Sequence, residues 1–161
     1  MERGLKVGLD SGVLISLTNN RDLFYNYYSE IEKEKGFLYT HEICKQETIE
    51  VLKRNFDYSE EQANEMLNQL IQELGIKIIL KDKSNSSTGR WMSKKCKENK
   101  IEFHVPDSFI IADFYKNKIK KVYSNNNHFL QACRLFRMRT IKLRTPEKEV
   151  SKQFRDMFFH K

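Results

Sequence analysis

The sequence predicts an α/β fold, a three-layer α/β/α sandwich in which a central parallel sheet of about five strands lies between helices. Short strand-like stretches alternate with segments of helical periodicity, a pattern typical of parallel sheets covered on both faces. The chain has 161 residues, of which 39% are hydrophobic and 32% are charged, enough for one buried core. We therefore expect residues 1–161 to form a single domain.

The first element is a short apolar strand, Leu5–Asp10, which turns at Ser11 and Gly12 into an apolar helix. The clearest helix is Ser59–Leu74, where apolar residues recur at helical spacing after a favourable Ser-Glu-Glu start. The polar stretch Asp82–Gly89 is expected to be a loop within the domain. The other strand candidates are Phe37–Thr40, Lys77–Leu80, Lys121–Ser124 and Arg139–Leu143.

Several classes of protein are excluded by composition. The sequence contains no apolar run of the roughly 18 residues that a membrane span needs, and its first residues do not resemble a signal peptide. A cytoplasmic location without membrane association is therefore expected. Cys44, Cys96 and Cys133 are odd in number and widely spaced, which argues against a disulfide framework. The four histidines do not have zinc-ligand spacing either.

The charge is distributed unevenly along the chain. Residues 1–80 contain 9 Lys or Arg and 14 Asp or Glu, whereas residues 81–161 contain 20 and 8. A basic half of this kind favours a polyanionic partner such as nucleic acid. The plainer interpretation is a set of solvated helix faces.

Three carboxylates occur where an apolar or terminal residue is expected. Asp10 ends the first strand, where ligands of open parallel sheets bind, although it could instead be a helix N-cap. Glu47 lies on the apolar stripe of the predicted helix from Glu42 to about Asn55, where a carboxylate requires an ion-pair partner or a cation. Asp107 lies on the inward side of a helix opened by Pro106, although Asp is also common in a first helical turn.

These carboxylates together describe an oxygen-ligand site. Hard cations such as Mg²⁺ or Mn²⁺ take such ligands together with water and substrate phosphate. Because the basic half would attract phosphate, metal-assisted hydrolysis of phosphodiesters is the resulting hypothesis. Asp113 lies three residues before Lys116 and away from the apolar stripe, and we expect it to be a surface ion-pair member.

The sequence resembles the PIN-domain family of metal-dependent ribonucleases, whose small stand-alone members include VapC-like proteins. Four blocks carry the resemblance in the family's order, namely KVGLDSGVLISL (6–17), YTHEICKQETIEVL (39–52), VPDSFIIADFY (105–115) and VYSNNNHF (122–129). It implies a parallel sheet between helices and an acidic Mg²⁺ or Mn²⁺ site that cleaves single-stranded or loop RNA. Asp10, Glu47 and Asp107 match the family's first three acids.

The resemblance also implies roles for neighbouring residues. Asp10, Asp107 and Glu47 would hold the metal or orient its water, and Ser11 and Ser124 would support the carboxylates. The chain departs from the family at its fourth acid, because Asn126 stands there and His128 replaces the next Asp. Asn125 matches instead if the strand ends one residue earlier. Asn126 would assist catalysis but cannot supply the missing charge.

RNA binding would then belong to the basic half. Trp91, Phe103 and Tyr123 could stack on bases, but we expect them to be core residues. The residues expected to neutralise phosphates are Lys94, Lys95, Lys97, Lys100, Arg134, Arg137 and Arg139.

Other interpretations stay open at this point. A haloacid-dehalogenase-like phosphatase would need a second Asp at position 12, which is Gly. The stronger alternative is a catalytically weakened PIN-like module that binds RNA or protein. The resemblance allows either a toxin with an antitoxin partner or an RNA-processing enzyme, and it allows a homodimer. Val150, Phe154, Met157 and Phe158 give the predicted last helix an apolar stripe that could close the core or form the dimer face.

Overall fold

The computed structural model describes residues 4–144, and it confirms the predicted α/β sandwich. Five strands form one parallel sheet in the order β3-β2-β1-β4-β5, so the first strand is central. Gly8, for example, is in register with Tyr39 of β2 and Val122 of β4. The strands are β1 (Val7–Leu9), β2 (Leu38–His41), β3 (Lys77–Ile79), β4 (Lys121–Ser124) and β5 (Arg139–Lys142).

Seven α-helices within residues 4–144 flank the sheet. Helices α1, α3 and α4 contact one another, while α6 contacts both α5 and α7. Helix α4 follows its prediction closely, because Ser59 and Gln62 form a capping box and Gly75 ends the helix in the left-handed region. The helices are α1 (Ser11–Asn19), α2 (Tyr25–Glu32), α3 (Glu42–Asn55), α4 (Glu60–Leu74), α5 (Ser86–Glu98), α6 (Val105–Lys116) and α7 (Asn127–Leu135).

The prediction of a loop over Asp82–Gly89 is wrong for its second half. Lys83–Asn85 form one turn of 3-10 helix, and α5 begins at Ser86. Ser, Thr and Gly are weak helix formers, so their composition predicted a loop. Packing overrides this preference, because Gly89 is buried where a side chain would contact the Ser108 carbonyl and Ala112 on α6.

The core contains the central strands and the inward faces of the helices. Val7, Leu9 and Val122 are fully buried, and so are the three cysteines, which are free. Within residues 4–144, the structure has no helix that is both long and apolar enough to cross a membrane. The proposed apolar stripe of the last helix lies outside the described residues.

The sheet order determines where a ligand can bind. Because β1 lies between β2 and β4, the chain leaves β1 on one side and returns on the other. Open parallel sheets bind ligands beyond the carboxyl ends of their strands at such a switch point. Here that position is occupied by Asp10 after β1 and by Ser124 at the end of β4. The backbone N–H of Asp10 donates to the Tyr123 carbonyl at 3.1 Å, which joins the two strand ends.

Candidate active site

Asp10 lies at the centre of the candidate site, directly after β1. It is the N-cap of α1, and its Oδ1 accepts a hydrogen bond from the backbone N–H of Ser11 at 2.8 Å. Its Oδ2 accepts one from Ser124 Oγ at 2.6 Å. The side chain is only 6% exposed. Burial raises the pKa of Asp10, although these hydrogen bonds oppose the shift.

Glu47 approaches the same site from α3. Its Oε2 accepts a hydrogen bond from Ser11 Oγ at 3.1 Å, so Ser11 contacts both Asp10 and Glu47. The residue is half-buried, at the edge of the α3 stripe whose buried members are Cys44, Thr48 and Leu52. Burial is the main cause that raises the pKa of Glu47, and the negative charge of Asp10 adds to it.

Asp107 enters the site from the first turn of α6. Burial and the negative charges of Asp10 and Glu47 raise the pKa of Asp107 to about 6, and nearby His104 opposes the shift only in part. Three carboxylates from β1, α3 and α6 therefore lie close enough to repel one another. Perturbed carboxylates that meet at the end of a sheet are typical of functional sites.

The charges of these carboxylates are not neutralised by cationic side chains within residues 4–144. No ion pair in this part of the chain includes Asp10, Glu47 or Asp107. In the same range, no three Asp, Glu, His or Cys side chains converge closely enough to hold a metal ion as they stand. The donor set suits a hard divalent cation chemically, since all of its ligands are oxygens.

Asn126 is exposed and is the N-cap of α7. Its Oδ1 accepts hydrogen bonds from the backbone N–H groups of His128 and Phe129, at 3.0 and 3.3 Å. The amide oxygen is therefore engaged by the helix. Asn125 instead lies over Gly12, where an added Cβ would be about 2.0 Å from Asn125 Oδ1. Gly12 is thus required for this placement of Asn125 beside the acidic site.

Comparison with known families agrees with this geometry. The family model for the PIN domain matches residues 7–135, a range that includes strands β1 to β4. The chain belongs to the PIN-domain family. No functionally curated protein gives a significant sequence match to this PIN domain.

Solved structures of VapBC and VapC proteins share the fold at low sequence identity. The DNA-bound VapBC complex from Salmonella typhimurium matches with a TM-score of 0.66 at 14% identity, covering 86% of this chain and 98% of that one. VapBC2 from Rickettsia felis, bound to a promoter DNA fragment, gives 0.64 at 13% identity, covering 84% and 97%. VapC20 from Mycobacterium tuberculosis, a toxin that cleaves the sarcin-ricin loop, gives 0.59 at 15% identity, covering 78% and 94%.

Asp113 of this PIN domain is not the surface ion-pair member that the sequence predicted. It is 2% exposed and accepts hydrogen bonds from Asn85 Nδ2 at 2.7 Å and from the backbone N–H of Asp82 at 3.3 Å. Asp113 Oδ2, which accepts the Asp82 bond, also lies 2.6 Å from His41 Nε2. Asp113 follows Ile110 by three residues, the same spacing that placed Asp107 inward. That spacing was the signal for its burial.

His41 is a structural residue that the sequence analysis missed. It ends β2 and caps α3, because its Nδ1 accepts a hydrogen bond from the Ile43 backbone N–H at 3.0 Å. With Nδ1 acting as acceptor, Nε2 carries the proton and donates to Asp113. His41 and Asp113 therefore tie the start of the Glu47 helix to the Asp107 helix.

The residues predicted to bind RNA are all exposed. Lys95 and Arg137 line one cleft, which includes the exposed side chain of Trp91. The expectation that Trp91 is a core residue is therefore wrong, whereas Tyr123 is fully buried as expected. The exposed cations are Lys94, Lys95, Lys97, Lys100, Arg134, Arg137 and Arg139.

Proposed function

We propose that this PIN domain is a metal-dependent endoribonuclease that hydrolyses phosphodiester bonds in single-stranded or loop RNA. The observation that carries the proposal is the group of three carboxylates with raised pKa values, Asp10, Glu47 and Asp107, without an ion-pair partner in residues 4–144. Mutually repelling carboxylates are costly for stability, so a cation and a phosphate substrate would explain their presence. The basic second half of the chain supports an RNA substrate.

Each residue of the acidic site would have a distinct role in this reaction. Asp10 and Asp107 would hold Mg²⁺ or Mn²⁺, and Glu47 would bind the metal or accept a proton from the attacking water. Bound metal supplies a more acidic water and stabilises negative charge on the phosphate. Ser124 fixes Asp10 and Ser11 fixes Glu47 through the hydrogen bonds described above.

Asn126 would assist through its amide N–H groups, because its oxygen caps α7. These N–H groups are donors and could bind phosphate oxygen, but they cannot ligate a cation. The carboxylates alone would then supply the negative charge for the metal.

The test is cleavage of a mixed single-stranded RNA pool by the purified protein with Mg²⁺, Mn²⁺ or EDTA. Asp10→Asn and Glu47→Gln should each lower the rate by about 100-fold or more, because each removes a charge at the metal. The matched controls are Asp22→Asn and Glu65→Gln, which change exposed carboxylates elsewhere and should leave the rate unchanged. Cleavage that continues in EDTA, or in both site variants, would overturn the proposal.

A second candidate function is a weakened PIN module that binds RNA without cleaving it. The specific observation in its favour is Asn126, which stands at the family's fourth acid and whose oxygen is engaged by α7. RNA binding with no cleavage even at high Mn²⁺ would favour this function over the nuclease.

We also propose that the protein acts in the cytoplasm with an antitoxin-type partner. The support is the likeness to VapBC complexes. Induced expression in a bacterial host should arrest growth for the wild type and not for Asp10→Asn. Equal growth of the two strains would argue for an RNA-processing role. Sedimentation of the purified protein would test the predicted homodimer.

A further inference from the structure

A cleft that neither the acidic site nor its catalysis uses lies between α5, the end of α6 and the turn after α7. Its volume is about 380 Å³. The aromatic rings of Trp91, Tyr115 and Phe136 form its walls, and Lys95 and Arg137 complete the lining together with Leu135. We call it the Trp91 cleft.

In the Trp91 cleft, the Trp91 ring packs against two other aromatic rings. The Trp91 ring lies 5.3 Å from the Phe136 ring and 6.1 Å from the Tyr115 ring, in tilted geometry. Phe136 is buried beneath, whereas Trp91 remains 45% exposed and Tyr115 41% exposed. Exposing two large aromatic rings side by side is unfavourable in water, which indicates that they contact a ligand.

The cationic side chains indicate which kind of ligand fits. Lys95 and Arg137 are both exposed and line the same cleft, in the half of the chain that holds 20 Lys or Arg against 8 Asp or Glu. Arg137 has a positive φ of 66° in the turn between α7 and β5. Aromatic rings next to cations are the usual combination for binding unpaired nucleic acid, since bases stack and phosphates are neutralised.

The position of the cleft separates it from the acidic site. Tyr115 follows Asp107 by eight residues on α6, which corresponds to about 12 Å along the helix. Phe136 likewise follows α7, which begins beside Ser124 of the site. One RNA strand can therefore contact the cleft while a phosphate farther along it lies at the carboxylates.

We propose that the Trp91 cleft binds unpaired bases of single-stranded RNA, with Trp91 and Tyr115 stacking on bases and Lys95 and Arg137 binding the flanking phosphates. This inference rests on the proposed function. It identifies the cleft as the place where the RNA substrate is bound at a distance from the bond that is cleaved. Charge complementarity favours RNA over an apolar protein partner.

The experiment uses the fact that Trp91 is the chain's one tryptophan. Its fluorescence reports on this cleft alone, so a stacked base should quench it directly. A short unstructured RNA is titrated into the full-length protein in EDTA, which prevents metal-dependent cleavage. Affinities of the variants are measured by anisotropy of the same RNA carrying a dye.

The variants separate stacking from charge. Trp91→Ala should weaken binding by about 10-fold or more, the effect of losing one stacked base, and Trp91→Phe should restore most of the affinity. Arg137→Ala should weaken binding and lower the salt slope by about 1, whereas Trp91→Ala should leave that slope unchanged. Tyr25→Ala and Lys33→Ala are matched exposed controls on or next to α2 and should bind like the wild type.

Each outcome is decisive for the cleft. Quenching together with the expected losses supports the proposal, even if no RNA is cleaved and the proposed nuclease activity fails. RNA that binds or is cleaved without quenching, with Trp91→Ala unaffected, would overturn it while leaving the nuclease proposal intact. If Trp91→Ala instead converts a dimer to a monomer with RNA affinity unchanged, the cleft is a self-association surface and the proposal is wrong.

Discussion

Two aspartates on the same helix, α6, have opposite surroundings. Asp113 is nearly fully buried and is surrounded by donors, namely His41, Asn85 and the backbone N–H of Asp82. Asp107 is less buried, yet burial, together with the negative charges of Asp10 and Glu47, raises its pKa to about 6. One carboxylate is satisfied by the protein and the other is not.

This difference shows what distinguishes a structural carboxylate from a candidate functional one. Burial alone does not, because Asp113 is the more buried of the two. The partners decide, since donors lower the free energy of a buried charge and like charges raise it. We expect substitutions of Asp113 to destabilise the fold and those of Asp107 to change function while stabilising the metal-free protein.

The largest expected effect is on the Asp113 network. Asp113→Ala should lower the free energy of unfolding by about 3–5 kcal/mol, because it leaves His41 and Asn85 buried without their acceptor. Urea unfolding followed by circular dichroism measures it, with Asp22→Ala as the exposed control. A loss below about 1 kcal/mol would mean that the network is not essential to the fold.

Metal binding should stabilise the acidic site in a pH-dependent way. Mn²⁺ at about 100 times its Kd should add about 2.7 kcal/mol to the free energy of unfolding at pH 7.5. The increase should be smaller at pH 5, because Asp107 is then largely protonated and metal competes with protons for it. Thermal melts with Mn²⁺ or EDTA provide the measurement. The same shift in Asp10→Asn would show that the metal binds elsewhere.

Asp107→Asn should stabilise the metal-free protein by about 1 kcal/mol at pH 7.5, a value reduced for partial solvent screening. Asp107 holds its proton more tightly in the folded chain than in the unfolded one, where its pKa is near 3.8. Its contribution to stability therefore falls as pH rises from about 4 through 6, and the variant should lack this decline. Chemical unfolding of the wild type and the variant in EDTA, at pH 5 and at pH 7.5, tests this prediction. A variant less stable than the wild type at pH 7.5 would contradict the unfavourable burial and repulsion of the Asp107 charge.

The smallest effect is expected for Asn126, which stands where the PIN family has its fourth acid. Asn126→Asp should keep the α7 cap, since Asn and Asp are equivalent there, and should tighten Mn²⁺ binding by a few fold through its added charge. Calorimetric titration compares the variant with the wild type, and Asn127→Asp is the neighbouring control. Unchanged affinity would place Asn126 outside the reach of the metal.

Much of this molecule could be predicted from local sequence patterns. The five strands and helix α4 lie within a residue or two of prediction, because apolar periodicity and capping residues act over a few positions. The start of helix α5 was predicted as a loop, because its Ser, Thr and Gly residues are weak helix formers and the packing of Gly89 on α6 is not visible in the local sequence. The hydrogen-bond donors of Asp113 could not be predicted, because they come from β2 and from the turn before α5, which are distant in sequence.

The sequence by itself determined the parallel sheet and the family, and it identified three candidate acidic residues, because these depend on local periodicity and short motifs. Only the tertiary structure decided that Asp113 is bonded internally, that the Asn126 oxygen caps α7, and that Trp91 shares an open cleft with Arg137. Such facts depend on which side chains meet across elements far apart in the chain. The residues next to a carboxylate, amide or aromatic ring in the sequence do not indicate which group it will contact. Its role therefore follows from the contacts that folding creates.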